Sequence, residues 1–324
     1  MRKKLNTFGR TTSLRRLRAF AAVIEHGSLA SAANALNVTA PAVSLQLREL
    51  EDEAGLPLFE RTRRGLVLTD AGREVQVAAA RVEMALRDCG EALEGLRGIA
   101  SGHVSVAVIS TAKYFAPHVL GAFKAEHPGV ELRLLVGNRS DIIRALQGFD
   151  ADLAVMGRPP QDFPIEQAAI GPHPHVIIAR PDHPMAGGRT LALADLAGQS
   201  FLLREPGSGT RMLAEAVFGA AGVQPRIDME IGSNETIKQA VMAGLGIAFI
   251  SAHTVAAEVQ DGRLAVLPVA GLPVTRQWYV VKRAERRLLP AGRELWQFLA
   301  TRAVRFLPDT SAFTQRRAMA APLG

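Results

Sequence analysis

Residues 14–69 read LRRLRAFAAVIEHGSLASAANALNVTAPAVSLQLRELEDEAGLPLFERTRRGLVLT, and this stretch decides the fold of the N-terminal region. Leu17, Phe20, Ala21 and Ile24 recur at helical spacing and predict a first helix with one apolar face. Gly27 ends it, Ser28 caps the next, and Leu29, Ala32, Ala33 and Leu36 repeat the pattern over barely two turns. Asn37-Val38 then predicts a tight turn. Thr39 caps a third helix, with Pro41 near its first position, where a missing N–H costs nothing. Val43, Leu47 and Leu50 are placed inward on that helix. Two short helices, a tight turn and a third helix with small polar residues outside describe a helix-turn-helix. The following Arg61-Thr62-Arg63-Arg64-Gly65-Leu66-Val67-Leu68-Thr69 is a cationic turn entering a β-prone strand, which suits a wing. Spacing alone leaves any small three-helix domain open as an alternative.

Charge is unevenly placed along the 324 residues. Of the net +7, residues 1–69 carry +5, residues 70–300 carry −1 and residues 301–324 carry +3. A basic head on a nearly neutral body is the balance expected of a phosphate-backbone binder with a separate sensing module. Cys89 is the single cysteine, so there is no disulfide framework and a reducing compartment is expected. The basic start MRKKLNTFGRTTSLRRLR is followed by no long apolar run, and secretory and membrane-spanning readings fail.

From Asp70 to about Arg97 no proline interrupts a helical pattern in which Val75, Ala78 or Ala79, Val82, Leu86, Leu93 and Leu96 recur. A helix of about 28 residues is roughly 40 Å long and exceeds what so small a head covers. It is therefore expected to pair with the same helix of a second chain. Ile99-Ala100-Ser101-Gly102 reads as the hinge behind it. Beyond the hinge, strand and helix alternate. Val104–Val108, Glu131–Val136 and Ala151–Met156 read as strands, with helices from Phe115 to about His127 and from Ser140 to Phe149. This implies an α/β domain with a mostly parallel sheet. After Pro172 the strand HVIIAR leaves for a second lobe, which holds a helix from Glu235 to Ala243. The chain returns through Val274–Val281 and closes with a helix around Leu295 to Val304. Two α/β lobes joined by two crossovers form a clamshell. The tail from Pro308 is expected outside the core.

A clamshell also serves transport solute-binding proteins and some enzymes. The first would not carry a DNA-binding head. For the second there is no P-loop, no GxGxxG after the first strand, no GxSxG and no HExxH. His173-Pro174-His175 with His183 downstream hints at a metal site, but proline-spaced histidines without a shared carboxylate or cysteine read as solvated loop residues. No metal and no resident cofactor are expected. What remains is a small-molecule effector between the lobes. Ser110 and Thr111 follow the first strand, and Asn138, Arg139 and Ser140 the second. Arg204, Ser208, Thr210 and Arg211 form a glycine-bearing cradle in the second lobe, and Asn234, Glu235 and Thr236 open its last helix. Helix N-termini plus arginines favour an anion.

The head is similar, in register from Leu14 through Gly72, to the N-terminal domain of the LysR-type transcriptional regulators. Phe20, Gly27-Ser28, Ala32-Ala33, Leu36, Pro41, Ser44, Gln46, Leu50-Glu51, Leu56, Leu58-Phe59-Glu60-Arg61, Gly65, Leu68-Thr69 and Ala71-Gly72 carry the likeness. Within that family, Val38–Leu47, Glu230–Thr254, Gly271-Leu272-Pro273-Val274 and Arg276-Gln277-Trp278 resemble the regulators of Calvin–Benson–Bassham (RuBisCO) carbon-fixation operons. The resemblance implies an α/β protein with a winged helix-turn-helix head at 13–70 behind an extension at 1–12, and a dimerising linker helix at 71–98. It further implies a two-lobed effector domain like that of periplasmic binding proteins, with lobe I at 101–174 and 278–307, lobe II at 175–277 and a flexible tail at 308–324. The implied partners are double-stranded operator DNA, a second copy through the linker helix, a tetramer through the effector domains, and RNA polymerase, with no membrane. The implied place is the bacterial cytoplasm at the nucleoid. Implied effectors are a phosphorylated sugar or acid such as ribulose bisphosphate or phosphoenolpyruvate, or NADPH.

On operator DNA, Ser44 and Gln46 are expected to hydrogen-bond phosphates or base edges, and Ala40, Pro41, Ala42 and Leu45 to touch thymine methyls. Ser28, Ser31, Thr39 and Arg48 flank them, and Arg61, Arg63 and Arg64 grip phosphate or enter the minor groove from the wing. Apolar Ala40 and Leu45, where many family members are polar, imply more readout of DNA shape.

Overall fold

The computed structural model describes residues 8–62, 65–96, 102–311 and 313, and the chain divides into two units between Leu93 and Glu94. The first unit holds α1 (Phe8–Thr11), α2 (Leu14–His26), α3 (Leu29–Ala35), α4 (Ala40–Ala54), β1 (Phe59–Thr62), β2 (Gly65–Leu68) and most of α5 (Asp70–Leu96). Side-chain caps start its helices: Ser13 accepts from the Arg16 N–H, Ser28 from Ser31 and Thr39 from Ala42. Gly27 at φ 71° closes α2, and Asn37 at φ 54° makes the turn between α3 and α4. Asparagine tolerates that left-handed conformation better than most residues.

The inward face of α2 is one step away from the sequence expectation. Leu17, Ala19, Phe20, Ala22 and Val23 are buried, while Ala21 is exposed and Ile24 only half-buried. Small alanines let α3 and α4 approach from two sides, so the buried strip is broader than a single i, i+3, i+4 row. Val43, Leu47 and Leu50 point inward on α4 as expected, and Leu58, Val75 and Ala79 complete this core. The first turns of α5 thus belong to the head. Farther along, Val82, Leu86 and Leu93 are 40%, 46% and 51% exposed, an apolar row with no cover in a single chain.

The second unit runs β3 (Gly102–Ile109), α6 (Ala116–Glu126), β4 (Val130–Gly137), α7 (Arg139–Gln147), β5 (Leu153–Met156), β6 (Ile165–Ala179), β7 (Ser200–Arg204), α8 (Gly209–Ala220), β8 (Arg226–Ile231), α9 (Asn234–Met242), β9 (Ile247–Ser251), α10 (Ala256–Gln260), β10 (Ala265–Val266), β11 (Val274–Arg283) and α11 (Pro290–Arg302). Its strands form one sheet in the order β4-β3-β5-β11-β6-β9-β7-β8, with β10 also on β6. The sheet is mixed rather than mostly parallel. Two parallel triplets, β4-β3-β5 and β9-β7-β8, are joined by β6 and β11, which run antiparallel to each other and to the triplets. A chain that leaves one lobe and returns must cross twice in opposite directions, and here both crossings are strands. Accordingly β6 starts at Ile165, well before Pro172, and pairs with β11 from Arg283↔Ile165 to Val274↔His175.

Separate cores flank the crossings. Lobe I packs Phe115, Phe123, Leu153, Trp278 and Leu295; lobe II packs Ile177, Phe201, Phe218 and Phe249. Leu307, the last residue expected in lobe I, packs on that lobe's core, and within the tail Phe313 packs on a core of lobe II. The hinge residues Ile99-Ala100-Ser101, most of the extension at 1–12 and tail residues 314–324 lie outside the described residues. Among the described residues no helix is long and apolar enough to cross a membrane.

Candidate DNA-reading surface and effector cleft

The outward face of α4 presents Pro41, Leu45 and Arg48 at i, i+4 and i+7, all exposed, with Leu45 at 57%. Ala40, Ala42, Ser44 and Gln46 flank that row and are half-buried. A leucine so exposed at the centre of a helix face gains nothing from its own core and is free to meet an apolar partner outside the chain. Ser28 Oγ donates to Ser31 Oγ at 2.9 Å and accepts the Ser31 N–H at 3.1 Å, so both serines sit at the start of α3. Thr39 holds the equivalent position on α4 at 3.4 Å.

The wing is tied back to this helix. Glu51 Oε1 accepts the N–H of Leu58 at 2.8 Å and of Phe59 at 3.4 Å. Thr69 Oγ1 donates to the Pro57 carbonyl at 2.7 Å and accepts the Gly72 N–H at 2.9 Å. A Cβ on Gly72 would stand 2.2 Å from the Leu58 carbonyl oxygen, so only glycine lets α5 start against the wing. β1 and β2 pair from Phe59↔Leu68 to Thr62↔Gly65, which sets exposed Arg61 on the wing. Arg63 and Arg64 lie outside the described residues.

Between the lobes a cleft of about 460 Å³, counted out to its mouth, brings together Ser110, Thr111, Asn138, Arg139, Arg204, Ser208 and Thr210 from the sequence-level set. Asn138 caps α7 through a reciprocal pair with Asp141, both bonds at 3.0 Å. Buried Arg204 is gripped by Glu205 at 2.7 and 2.9 Å, donates to Asn234 Oδ1, and reaches Ser110 Oγ of lobe I at 3.2 Å. Its charge is therefore answered within the protein, and Asn234 supports it from behind. Ser140 meets lobe II at the mouth, where a Cβ on Gly207 would lie 2.8 Å from its hydroxyl.

The remaining sequence-level residues face elsewhere. Arg211 bonds Glu215 at 2.8 Å, Glu230, and the Arg204 carbonyl at 3.1 Å. Thr236 is exposed outside the cleft. Glu235 bonds Lys238 at 2.8 Å and lies 3.4 Å from Tyr114 Oη of lobe I. Lys238 itself is buried, paired with Glu258 at 2.8 Å and set 4.8 Å from the Tyr114 ring centroid.

The cleft also holds residues outside the expected effector set: Met156, Gly157, Arg158, His173, His175, Leu213 and Arg276. Arg139, Arg158 and Arg276 have no carboxylate within ion-pair distance among the described residues. Arg139 donates only to the carbonyls of Arg158 at 3.0 Å and Pro159 at 3.5 Å. Burial pushes Arg139 and Arg276 below the usual guanidinium range, and the charge of Arg158 pushes both further, while Asp162, beyond ion-pair distance, draws Arg139 part of the way back. Three guanidiniums so placed are a site short of negative charge.

His173 and His175 are not solvated, whereas His183 lies in the loop after β6 and is only partly buried. The first two belong to the crossover strand β6, not to a loop, and are each 3% exposed. His173 lies on Trp278 with ring centroids 3.7 Å apart, and Trp278 Nε1 donates to His253 Nδ1 at 3.0 Å. Burial holds all three neutral: His173 falls well below the ordinary histidine value, His175 to about 3 and His253 to about 4. Among the described residues no group of histidine, cysteine and carboxylate side chains could hold a metal ion. A signal for Arg158 and Arg276 existed in the sequence, since Arg158 follows β5 and Arg276 lies within β11, but only the pairing of β5, β6 and β11 puts them together.

Residues 14–73 match the bacterial regulatory helix-turn-helix proteins of the lysR family, and residues 97–304 match the LysR substrate binding domain. The chain is 52% identical over 299 residues to the HTH-type transcriptional regulator CbbR of Xanthobacter flavus, covering 92% of this chain and 90% of that one. It is 45% identical over 293 residues to the RuBisCO operon transcriptional regulator of Allochromatium vinosum, covering 90% and 97%. Among solved structures, the regulatory domain of Synechocystis CcmR in complex with 2-PG is 37% identical. It aligns with a TM-score of 0.60 over 61% of this chain and 96% of that one.

Proposed function

This chain belongs to the LysR family of bacterial transcriptional regulators, and from that premise we propose that it activates carbon-fixation (RuBisCO) operons in response to an anionic metabolite held between its lobes. The operon assignment rests on the 52% and 45% identities to RuBisCO-operon regulators over nine-tenths of the chain. The effector assignment rests on the three guanidiniums of Arg139, Arg158 and Arg276 that converge on the cleft without a carboxylate. A narrow cleft of about 460 Å³ favours a compact phosphorylated sugar or acid over NADPH. Ser208 and Thr210 at the start of α8 add hydroxyl donors, and the α8 N-terminus adds backbone dipoles.

Mechanistically, two heads joined through α5 present two copies of α4 to successive major grooves, with Ser44 and Gln46 at base edges and the wing arginines on phosphate. Val82, Leu86 and Leu93 supply the apolar row for that pairing. The effector favours one lobe arrangement over another and so shifts the assembly on DNA. The protein works in the cytoplasm at the nucleoid, as a tetramer and with RNA polymerase as its partner in activation, and performs no chemistry of its own. Footprinting upstream of a RuBisCO operon tests the reading, with and without ribulose bisphosphate, phosphoenolpyruvate and NADPH. The expected result is operator protection whose pattern changes with at least one phosphorylated metabolite. Loss of that change in Arg276→Ala, with protection retained, places the effector in the cleft; no protection of the operon overturns the assignment.

A further inference from the structure

Two polar atoms in the cleft have no partner among the described residues. Thr111 Oγ1, behind β3, and His173 Nδ1, on β6, are both buried and unbonded, and both residues line the cleft. His173 is fixed on its other side. Its Nε2 bonds Ser251 Oγ at 2.9 Å, and its ring lies at 16° to the plane of Trp278. What stands against Nδ1 is the bare Cα of Gly157, where a Cβ would lie 2.6 Å from the nitrogen. A buried nitrogen left unbonded is unfavourable, and such atoms call for a partner that the folded chain does not supply.

Building on the anionic reading of the cleft, we infer that His173 Nδ1 is a specificity contact for an uncharged oxygen of the effector, a hydroxyl or carbonyl set between its anionic groups. The surroundings separate the two kinds of recognition. Arg139, Arg158 and Arg276 take charge, whereas the wall formed by His173 and His175, with Trp278 and His253 stacked behind His173, is uncharged and aromatic. The Ser251 hydroxyl turns to give or take a hydrogen bond, so Nε2 accepts or donates and Nδ1 takes the opposite role. A ligand hydroxyl matches either state. Gly157 leaves Nδ1 with no side chain packed on it, so that a small shift of the 157 backbone is enough to give it a ligand oxygen. The class selected is a phosphorylated hydroxy or keto compound rather than a bare phosphate or an unsubstituted diacid.

Calorimetry on the full chain with 3-phosphoglycerate and with 3-phosphooxypropanoate, which differs only in lacking the 2-hydroxyl, tests this. The wild type is expected to prefer the hydroxylated compound by about tenfold, the scale of one hydrogen bond to a buried group. His173→Phe keeps a ring on Trp278 and is expected to bind both with the affinity of the deoxy compound. Gly157→Ala keeps the imidazole, sets a methyl against Nδ1, and is expected to lose the preference too; it carries the test if His173→Phe no longer folds. Equal wild-type affinity for both compounds, or a preference that survives in the variant, overturns the inference and leaves the anionic cleft standing. Binding of neither compound overturns both.

Discussion

The two units use cationic side chains in opposite ways. In the head, Arg48 stands in solvent one turn from an exposed apolar residue, Leu45, and Arg61 stands in solvent on the wing. In the second unit, Arg139 and Arg276 are half-buried against Arg158 and lose proton affinity to desolvation and mutual repulsion. Exposed charges are screened within about 10 Å at 0.1 M salt, so the head's pull on DNA belongs to ionic strength as much as to sequence. Charges in a narrow cleft are screened far less and are answered by one ligand of matching charge and shape. On the function proposed above, the same residue type is a tether in one place and a filter in the other.

The strongest way to break that contrast is at α4. Ser44→Trp places a large ring beside the outward row and is expected to reduce operator affinity by at least about a hundredfold while circular dichroism and melting stay unchanged. Raising salt from 50 to 200 mM is expected to weaken wild-type operator binding by a factor on the order of 10³ if about six phosphates are neutralised. Calorimetric affinity of the cleft for its anion should fall far less over the same range. Equal salt sensitivity at the two sites would show that the cleft arginines are as solvated as those of the head.

A second test concerns α5, which is both core and surface. Val75 and Ala79 are buried in the head, whereas Leu86 is 46% exposed. Leu86→Lys is expected to split the dimer at micromolar concentration in sedimentation, because an unpaired charge in a paired seam costs several (~3–5) kcal/mol. The head should remain folded and bind DNA only weakly. A dimer that survives with full operator affinity places the pairing surface elsewhere.

Acid acts on the second unit through its buried histidines. His175 and His253 are held neutral with values of about 3 and about 4, below the ordinary 6.5. Their contribution to stability is complete above pH 6.5. It declines as pH falls through the window between 6.5 and those folded values, because the unfolded chain then binds the protons the native lobe refuses. Each such group removes about 1.4 kcal/mol per pH unit within its window. The second unit is therefore expected to melt at progressively lower temperature from pH 6.5 to 4.5, and Trp278, bonded to His253, reports the loss by fluorescence. A melting curve flat across that window would mean that the histidines are protonated without disrupting the crossing.

The head was legible because its determinants are contiguous. Caps at Ser28 and Thr39, the turn at Asn37 and the inward Val43, Leu47 and Leu50 all act within a few residues of one another. The cleft was legible only where a residue follows its own strand or opens its own helix, as Ser110, Asn138 and Thr210 do. Arg158, His173 and Arg276 meet only because β5, β6 and β11 are neighbours in the sheet, a pairing that no local pattern encodes. The histidines were misread for the same reason. Pro172 and Pro174 suggest a loop, yet β6 tolerates both prolines inside a ladder with β11 at Gln277 and Thr275.

The smallest effect is expected at Arg211, the residue in which local pattern and three-dimensional placement part company. Two glycines before it, at a helix start, mark an anion site in sequence, but its guanidinium turns away and bonds Glu215, Glu230 and the Arg204 carbonyl. An i, i+4 pair of this exposed kind is worth about a few tenths of a kcal/mol. Arg211→Ala should thus leave effector affinity within about twofold of wild type, and melting lowered by no more than a degree or two. Arg276→Ala, measured beside it, should lose at least about tenfold in affinity, the scale of one charge-assisted hydrogen bond. A loss at Arg211 equal to that at Arg276 would mean that the guanidinium swings into the cleft when the ligand arrives, and that the ion pairs seen here are its resting place.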